Sequence, residues 1–300
     1  YNIPEIKTIS LNTIESFIAT ASAMGITSWK DSSNYGLSLT LGGGEVTMYD
    51  MTQAFGTLAN QGVRVPLQPI LKVEDFQGNV LEEYNPQDTI QALAEMTKNQ
   101  DIKETRSLTR VLHREPSYLI SHILLDNNAR VGAFGPSSKL NISNQVVSVK
   151  TGTTNDLRDN WTIGYTPEFL TAVWVGNNDA TPMNPYLVSG ITGAAPIWNS
   201  IMSKVLKGHK SIWPEKPENV IDKEICSVSG LLPNPDAPCA TRIEYFWKGT
   251  EPTELDTPPR DTWIVPTKGL PPVEGDPMDN LLLQKHQLLS DPFTKDYCVD

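Results

Sequence analysis

Apolar positions recur with a helical period in the first part of the chain and in short β-branched runs further on. Ile14, Phe17, Ile18 and Ala21 share one side of a helix that Asn12 would cap, with Glu15 three positions on and Gly25 as its stop. Met48, Met51, Phe55 and Leu58 mark a second helix behind Thr47, ending near Gly62. Residues 70–73 and 80–82 flank Gln77-Gly78-Asn79 and predict a hairpin. Across 87–110 charge rises and large apolar residues thin out, so an insertion or mobile loop is expected, with helix only around 90–96. Leu119, Ile120, Ile123 and Leu124 then form one face of a helix over 117–127, capped by Ser117.

Val146-Val147-Ser148-Val149 reads as a buried strand whose far end turns polar at Lys150-Thr151-Gly152-Thr153-Thr154. Residues 161–165 and 169–175, joined by Thr166-Pro167-Glu168, predict a hairpin that continues it as consecutive antiparallel strands. Pro196 opens a last helix with Ile197, Trp198, Ile201, Met202 and Val205 on its apolar face, closing at Gly208. The fold class is therefore α+β, an antiparallel sheet flanked by helices. Beyond 208 periodicity fades until 281–289, and thirteen of the twenty-three prolines fall there. That shift predicts a domain over 1–208 and, over 209–300, an extended Pro-rich tail or small appendage, partly disordered and folding locally through Tyr245-Phe246-Trp247.

Charge changes the picture by exclusion. Twenty-four basic against thirty-five acidic residues give a net charge of -11, which disfavours a nucleic-acid partner. No apolar run approaches the ~18 residues that a membrane span needs. Cys226 and Cys239 enclose a Pro- and Gly-rich loop, so they are either a disulfide, in an oxidising compartment, or thiols, with Cys298 outside the pair. Zinc spacing is absent and His113, His122, His209 and His286 form no ligand pairs, so no metal and no cofactor are expected.

The polar end of the strand at 146–150 is the candidate site. Lys150 supplies a positive charge, Thr151 and Thr153 supply hydroxyls, and Gly152 removes a side chain that would hold off an approaching peptide backbone. That set suits an extended peptide bearing a carboxylate; the plainer alternative is a solvated lysine before a turn. Gly42-Gly43-Gly44, opening a helix, could cradle phosphate but lacks the lysine of a P-loop and reads as a tight turn.

K-T-G belongs with S-x-x-K and S-x-N in penicillin-binding proteins and β-lactamases. No serine in this chain has a lysine three positions later. The opening Tyr1-Asn2-Ile3-Pro4, with no initiator Met, resembles the S-x-N-I-P segment of class A penicillin-binding proteins, with Asn2 as its asparagine and its serine just upstream. On that reading the chain is a piece or processed product. Ser10-Leu11-Asn12 and Ser32-Ser33-Asn34 lack the Ile-Pro that follows. Leu41-Gly42-Gly43-Gly44-Glu45-Val46-Thr47, Lys150 to Asp156, Asp159-Asn160-Trp161, Ile163-Gly164-Tyr165-Thr166-Pro167, Gly176-Asn177-Asn178-Asp179 and Gly193-Ala194-Ala195-Pro196-Ile197-Trp198 resemble the transpeptidase domain of that family, in its order, over residues 1 to about 208. Cys226, Ser229-Gly230 and Gly249-Thr250-Glu251-Pro252 also look like the tail of some class A members, more weakly.

The resemblance implies a penicillin-binding or serine β-lactamase-like transpeptidase fold with its N-terminal part missing. It implies peptidoglycan D,D-transpeptidation by serine acyl transfer, with stem peptides ending in D-Ala-D-Ala as substrates and β-lactams as inhibitors. Lys150, Thr151, Gly152 and Thr153 would hold the terminal carboxylate, the Thr153 N–H would be one oxyanion donor, and Asn2 would orient the acyl amide. Trp161 and Tyr165 read as packing residues. The family's location is extracytoplasmic, and its upstream membrane anchor and glycosyltransferase domain lie outside this chain. Two alternatives stay open: a D,D-carboxypeptidase or β-lactamase-like hydrolase, and a non-catalytic module that binds cell-wall peptides.

Overall fold

Ile3–Asn12 forms α1, a helix that its sparse apolar pattern did not predict. A proline lies in its first turn, where a missing N–H costs little, and Glu5 complements the positive helix end. The chain then pivots at Thr13, φ 66, whose side chain accepts from Ser16 N at 3.3 Å and caps α2, Ile14–Met24. Asn12, expected as that cap, is the last residue of α1. Gly25 stops α2 in the left-handed conformation, φ 116. Thr47 caps α3, Met48–Ala59, by accepting from Asp50 N at 3.0 Å. The glycine run before it is a packed turn: Gly42 has φ 91, and a Cβ on Gly44 would lie 2.6 Å from Trp29 Nε1.

The computed structural model describes residues 2–105, 107–184, 192–289, 293 and 297–298, so Tyr1 of the opening motif lies outside them. After α3 come β1, Val63–Arg64, and the predicted hairpin of β2, Lys72–Glu74, with β3, Val80–Glu83. The stretch 87–110, expected as an insertion or loop with helix only around 90–96, carries more secondary structure than that among its described residues. It holds α4, Pro86–Lys98, β4, Glu104–Thr105, and β5, Leu108–Arg110, in a sheet of order β1-β5-β4. Ala92, Met96 and Leu108 close a small core there with Val63. The partner comes from another part of the sequence, which local composition could not reveal.

Next come α5, Arg114–Leu125, and α6, Asn127–Phe134. α5 is turned over relative to its apolar pattern: Ile120 and Ile123 are exposed, while Glu115, Ser117, Tyr118 and Ser121 are buried. Ser117 is no cap; its hydroxyl donates back to the His113 carbonyl at 2.9 Å. Three consecutive strands follow, β6, Ser148–Thr153, β7, Asp159–Tyr165, and β8, Leu170–Gly176, antiparallel in the order β6-β7-β8. The strand expected to begin near Val146 starts at Ser148 and runs through the polar end to Thr153. α7, Ala194–Val205, packs Trp198 and Met202 into a core with Val149 and Val173.

The chain divides into two compact units, 1–217 and 218–300, nine residues past the composition shift. Residues 209–215 stay with the first unit because His209 O accepts from Gln145, Ser211 Oγ accepts from Val146 N, and Glu215 pairs with Arg114. The second unit carries paired strands. It contains β9, Val220–Cys226, paired with β10, Thr241–Trp247, then β11, Arg260–Ile264, paired with β12, Leu282–His286, and a short pair, β13, Leu288–Leu289, with β14, Tyr297–Cys298. Cys226 and Cys239 are joined in a disulfide. Among the described residues no helix is long and apolar enough to cross a membrane.

Candidate functional site

β6 is the outer strand of its sheet, paired with β7 on one side. Among the described residues no strand pairs with its other edge, where an extended segment could add. The pleat sends Ser148, Lys150 and Gly152 to the face against which α5 packs, and Val149, Thr151 and Thr153 to the face of α7. The four residues singled out from the sequence therefore lie along one strand end, with the cation and the two hydroxyls on opposite faces. A ligand contacting all of them has to straddle the strand edge.

Lys150 is exposed by surface area, yet enough protein surrounds its amine that desolvation lowers its pKa below 10.5, and the Glu5 carboxylate partly offsets this. Its Nζ donates to the Thr151 carbonyl at 2.6 Å. Glu5 lies in the first turn of α1, so the start of that helix is within electrostatic reach of the strand. Asn2 immediately precedes α1, is exposed, and makes no side-chain capping bond. Gly152 is open: a Cβ there would meet only Trp161 Cβ, at 3.6 Å.

Beyond Thr153 the chain reverses through a built turn. Thr154 Oγ1 accepts from Asp159 N at 2.9 Å, Asp159 Oδ1 accepts from Trp174 Nε1 at 2.9 Å, and Asp156 and Leu157 both have left-handed φ, 61 and 54. The next residue, Asn160, is fully buried opposite Thr153 and donates to its hydroxyl at 3.0 Å. Behind Lys150, Ser148 Oγ donates to the Ser121 carbonyl at 2.7 Å, and Ser121 Oγ meets the Tyr165 hydroxyl at 2.9 Å. Burial pushes the Tyr165 phenol up to about 12, so it stays neutral. Tyr165 is thus a buried packing residue of β7, and Trp161 is half-buried beside Gly152.

Glu5, Asp159 and Asn160 did not stand out as functional in the sequence, where Asp159 and Asn160 appeared only within the Asp159-Asn160-Trp161 block. In the second unit, one group among the described residues could hold a metal ion: Cys226, Cys239 and Asp256, with ligand atoms within 4.8 Å of one another. Its two sulfurs are bonded to each other.

Residues 216–260 match the family described as Penicillin-binding protein 1A, C-terminal domain. Over 273 residues the chain is 27% identical to penicillin-binding protein 1A of Pseudomonas aeruginosa, covering 81% of this chain and 32% of that protein. It is 31% identical over 215 residues to penicillin-binding protein 1A of Aquifex aeolicus, covering 72% of this chain and 26% of the relative. The chain thus spans about a third or less of the length of the curated relatives it matches. In three dimensions it resembles penicillin-binding protein 1A from Haemophilus influenzae with a TM-score of 0.65 at 23% identity, over 85% of this chain and 40% of that one. It also resembles PonA1 from Mycobacterium tuberculosis, with a TM-score of 0.50 at 22% identity, over 67% and 52%. These two likenesses establish the fold.

Proposed function

Because this chain belongs to the class A penicillin-binding proteins, as part of their transpeptidase region, we propose that it forms the carboxylate-binding side of a peptidoglycan D,D-transpeptidase. The observation that carries the reading is the open edge of β6. There an ammonium group, two hydroxyls and the outer backbone edge of the strand line the place where an extended peptide with an acidic end would add.

In this reading the terminal carboxylate of a D-Ala-D-Ala stem peptide, or of a β-lactam, lies across the strand end. Lys150 supplies charge from one face, and Thr151 and Thr153 donate from the other. The Thr153 N–H stabilises the developing oxyanion, and Asn2 orients the acyl amide from the start of α1. The attacking serine and its lysine belong to an S-x-x-K outside these 300 residues. Serine acylation expels the terminal D-Ala, and an amine of a neighbouring strand releases the acyl group and forms the cross-link. The protein would work outside the cytoplasm, held by an anchor and accompanied by a glycosyltransferase domain elsewhere in the polypeptide.

The test is covalent labelling. The 300-residue chain should form no adduct with a fluorescent penicillin, whereas the full-length gene product should, and Lys150→Ala in the latter should slow acylation by about tenfold or more. Labelling of the 300-residue chain, or an unchanged rate in the Lys150→Ala variant, overturns the reading. A long-lived adduct favours the transpeptidase over a hydrolase.

A further inference from the structure

Asn160 sits directly across the β6–β7 ladder from Thr153, with 0% of its surface exposed. Its Oδ1 accepts from Ala194 N at 2.6 Å, at the first residue of α7, and its Nδ2 donates to Thr153 Oγ1 at 3.0 Å. Chemistry fixes which end of the amide is which. A backbone N–H can only donate, so the atom facing Ala194 has to be the oxygen, and the NH₂ has to face Thr153. Gly193 leaves room for this: a Cβ there would lie 2.5 Å from Asn160 Oδ1.

A threonine hydroxyl has one hydrogen. Because Thr153 Oγ1 accepts from the buried amide on its inner side, its hydrogen has to point elsewhere, and Thr153 is exposed at the open strand edge. We infer that Asn160 is a positioning residue that turns the Thr153 hydroxyl into a fixed donor for an anionic ligand, and that the N-terminus of α7 holds Asn160 in the orientation this requires. The inference rests on the reading of 150–153 as a carboxylate grip. It adds a residue that is not part of the K-T-G motif, and a reason why helix α7 matters to a strand edge it does not itself line. The ligand class it serves is a carboxylate; a neutral amide at the same place gains less from an oriented donor.

Asn160→Asp provides the sharpest test because it keeps shape and the Ala194 bond while reversing polarity. The introduced carboxylate has no hydrogen to give, so the Thr153 hydroxyl turns inward and presents lone pairs to the ligand. The second-order rate of acylation by a labelled penicillin should be measured on the full-length gene product for Asn160→Asp, Thr153→Val and the double variant. Asn160→Asp is expected to lower the rate by about ten- to a hundredfold, the worth of a hydrogen bond to a charged group. In the Thr153→Val background the same change should cost several-fold less, because the hydroxyl through which it acts is gone. An equal factor in both backgrounds, or no effect of Asn160→Asp while Thr153→Val slows acylation, overturns the inference and leaves the carboxylate grip standing. No effect of either Thr153→Val or Lys150→Ala means that the grip itself was misassigned. If Asn160→Asp fails to fold, Asn160→Ala serves in its place: it frees the hydroxyl to turn, and its cost should likewise be several-fold smaller without the hydroxyl.

Discussion

Lys150 carries a conflict that sets its pH behaviour. A cation on a strand end is there to attract an anion, yet burial of its surroundings lowers its pKa, and only Glu5 acts in the opposite direction. Anion binding needs the protonated amine, so acylation of the free protein should fall with rising pH through a value below the 10.5 of an ordinary lysine. Glu5→Gln removes the upward contribution and should move that basic limb to still lower pH. A limb at or above 10.5, or one that Glu5→Gln moves upward, would show that Lys150 does not govern the step. The stability term has its own sign: the unfolded chain holds this proton more tightly, so the folded state gains as pH rises from the lowered pKa toward 10.5.

Elements are joined at the site by close approach. Gly164 on β7 faces Trp198 on α7, where a Cβ would lie 2.4 Å from Cζ2 and 2.8 Å from Cε2. Gly164→Ala should therefore force α7 off the sheet and cost about 1–3 kcal/mol, seen as a lower urea midpoint at unchanged slope. An unchanged midpoint would mean that the ring moves aside freely. The same contact shows what the sequence could reveal. The β6-β7-β8 meander was legible because alternation and turn residues are local, and α3 because Thr47 and its apolar residues are local too. α5 was read on the wrong face because its buried side carries serines, of which Ser121 meets the Tyr165 hydroxyl on β7 with its own hydroxyl and accepts from Ser148 on β6 with its carbonyl, and no periodicity scale counts Ser117 or Ser121 as core. Only 90–96 of α4 was read as helix, and β5 was read as loop, because Val63, their core partner, lies more than twenty residues upstream. α1 was missed because only Ile9 of its apolar residues is buried, while Ile3 and Leu11 are exposed. Likewise K-T-G was legible as a word, whereas Asn160 and Glu5 gain their roles only when pairing and packing bring them to it.

At the scale of the whole chain, the second unit has its own source of stability. Its described part buries five apolar residues, Val220, Ile225, Cys226, Ile264 and Val265, a small core for a stretch of 83 residues made of two-stranded pairs. Two-stranded ribbons are marginal alone, so a covalent staple should count for much here. The Cys226–Cys239 bridge spans 13 positions and links the end of β9 to the segment just before β10. Closing a loop of that size restricts the unfolded chain by about 3 kcal/mol. Replacing both cysteines by serine should therefore loosen the second unit selectively. In hydrogen exchange followed by mass spectrometry, peptides from β9 and β10 should lose protection by about a hundredfold, the equivalent of that energy. Peptides from β6, β7 and β8, whose core is built around Trp198 and Met202 instead, should keep theirs. Equal loss in both sets would tie the two units into one cooperative fold, and no loss in either would mean that the β9–β10 ladder holds without its bridge.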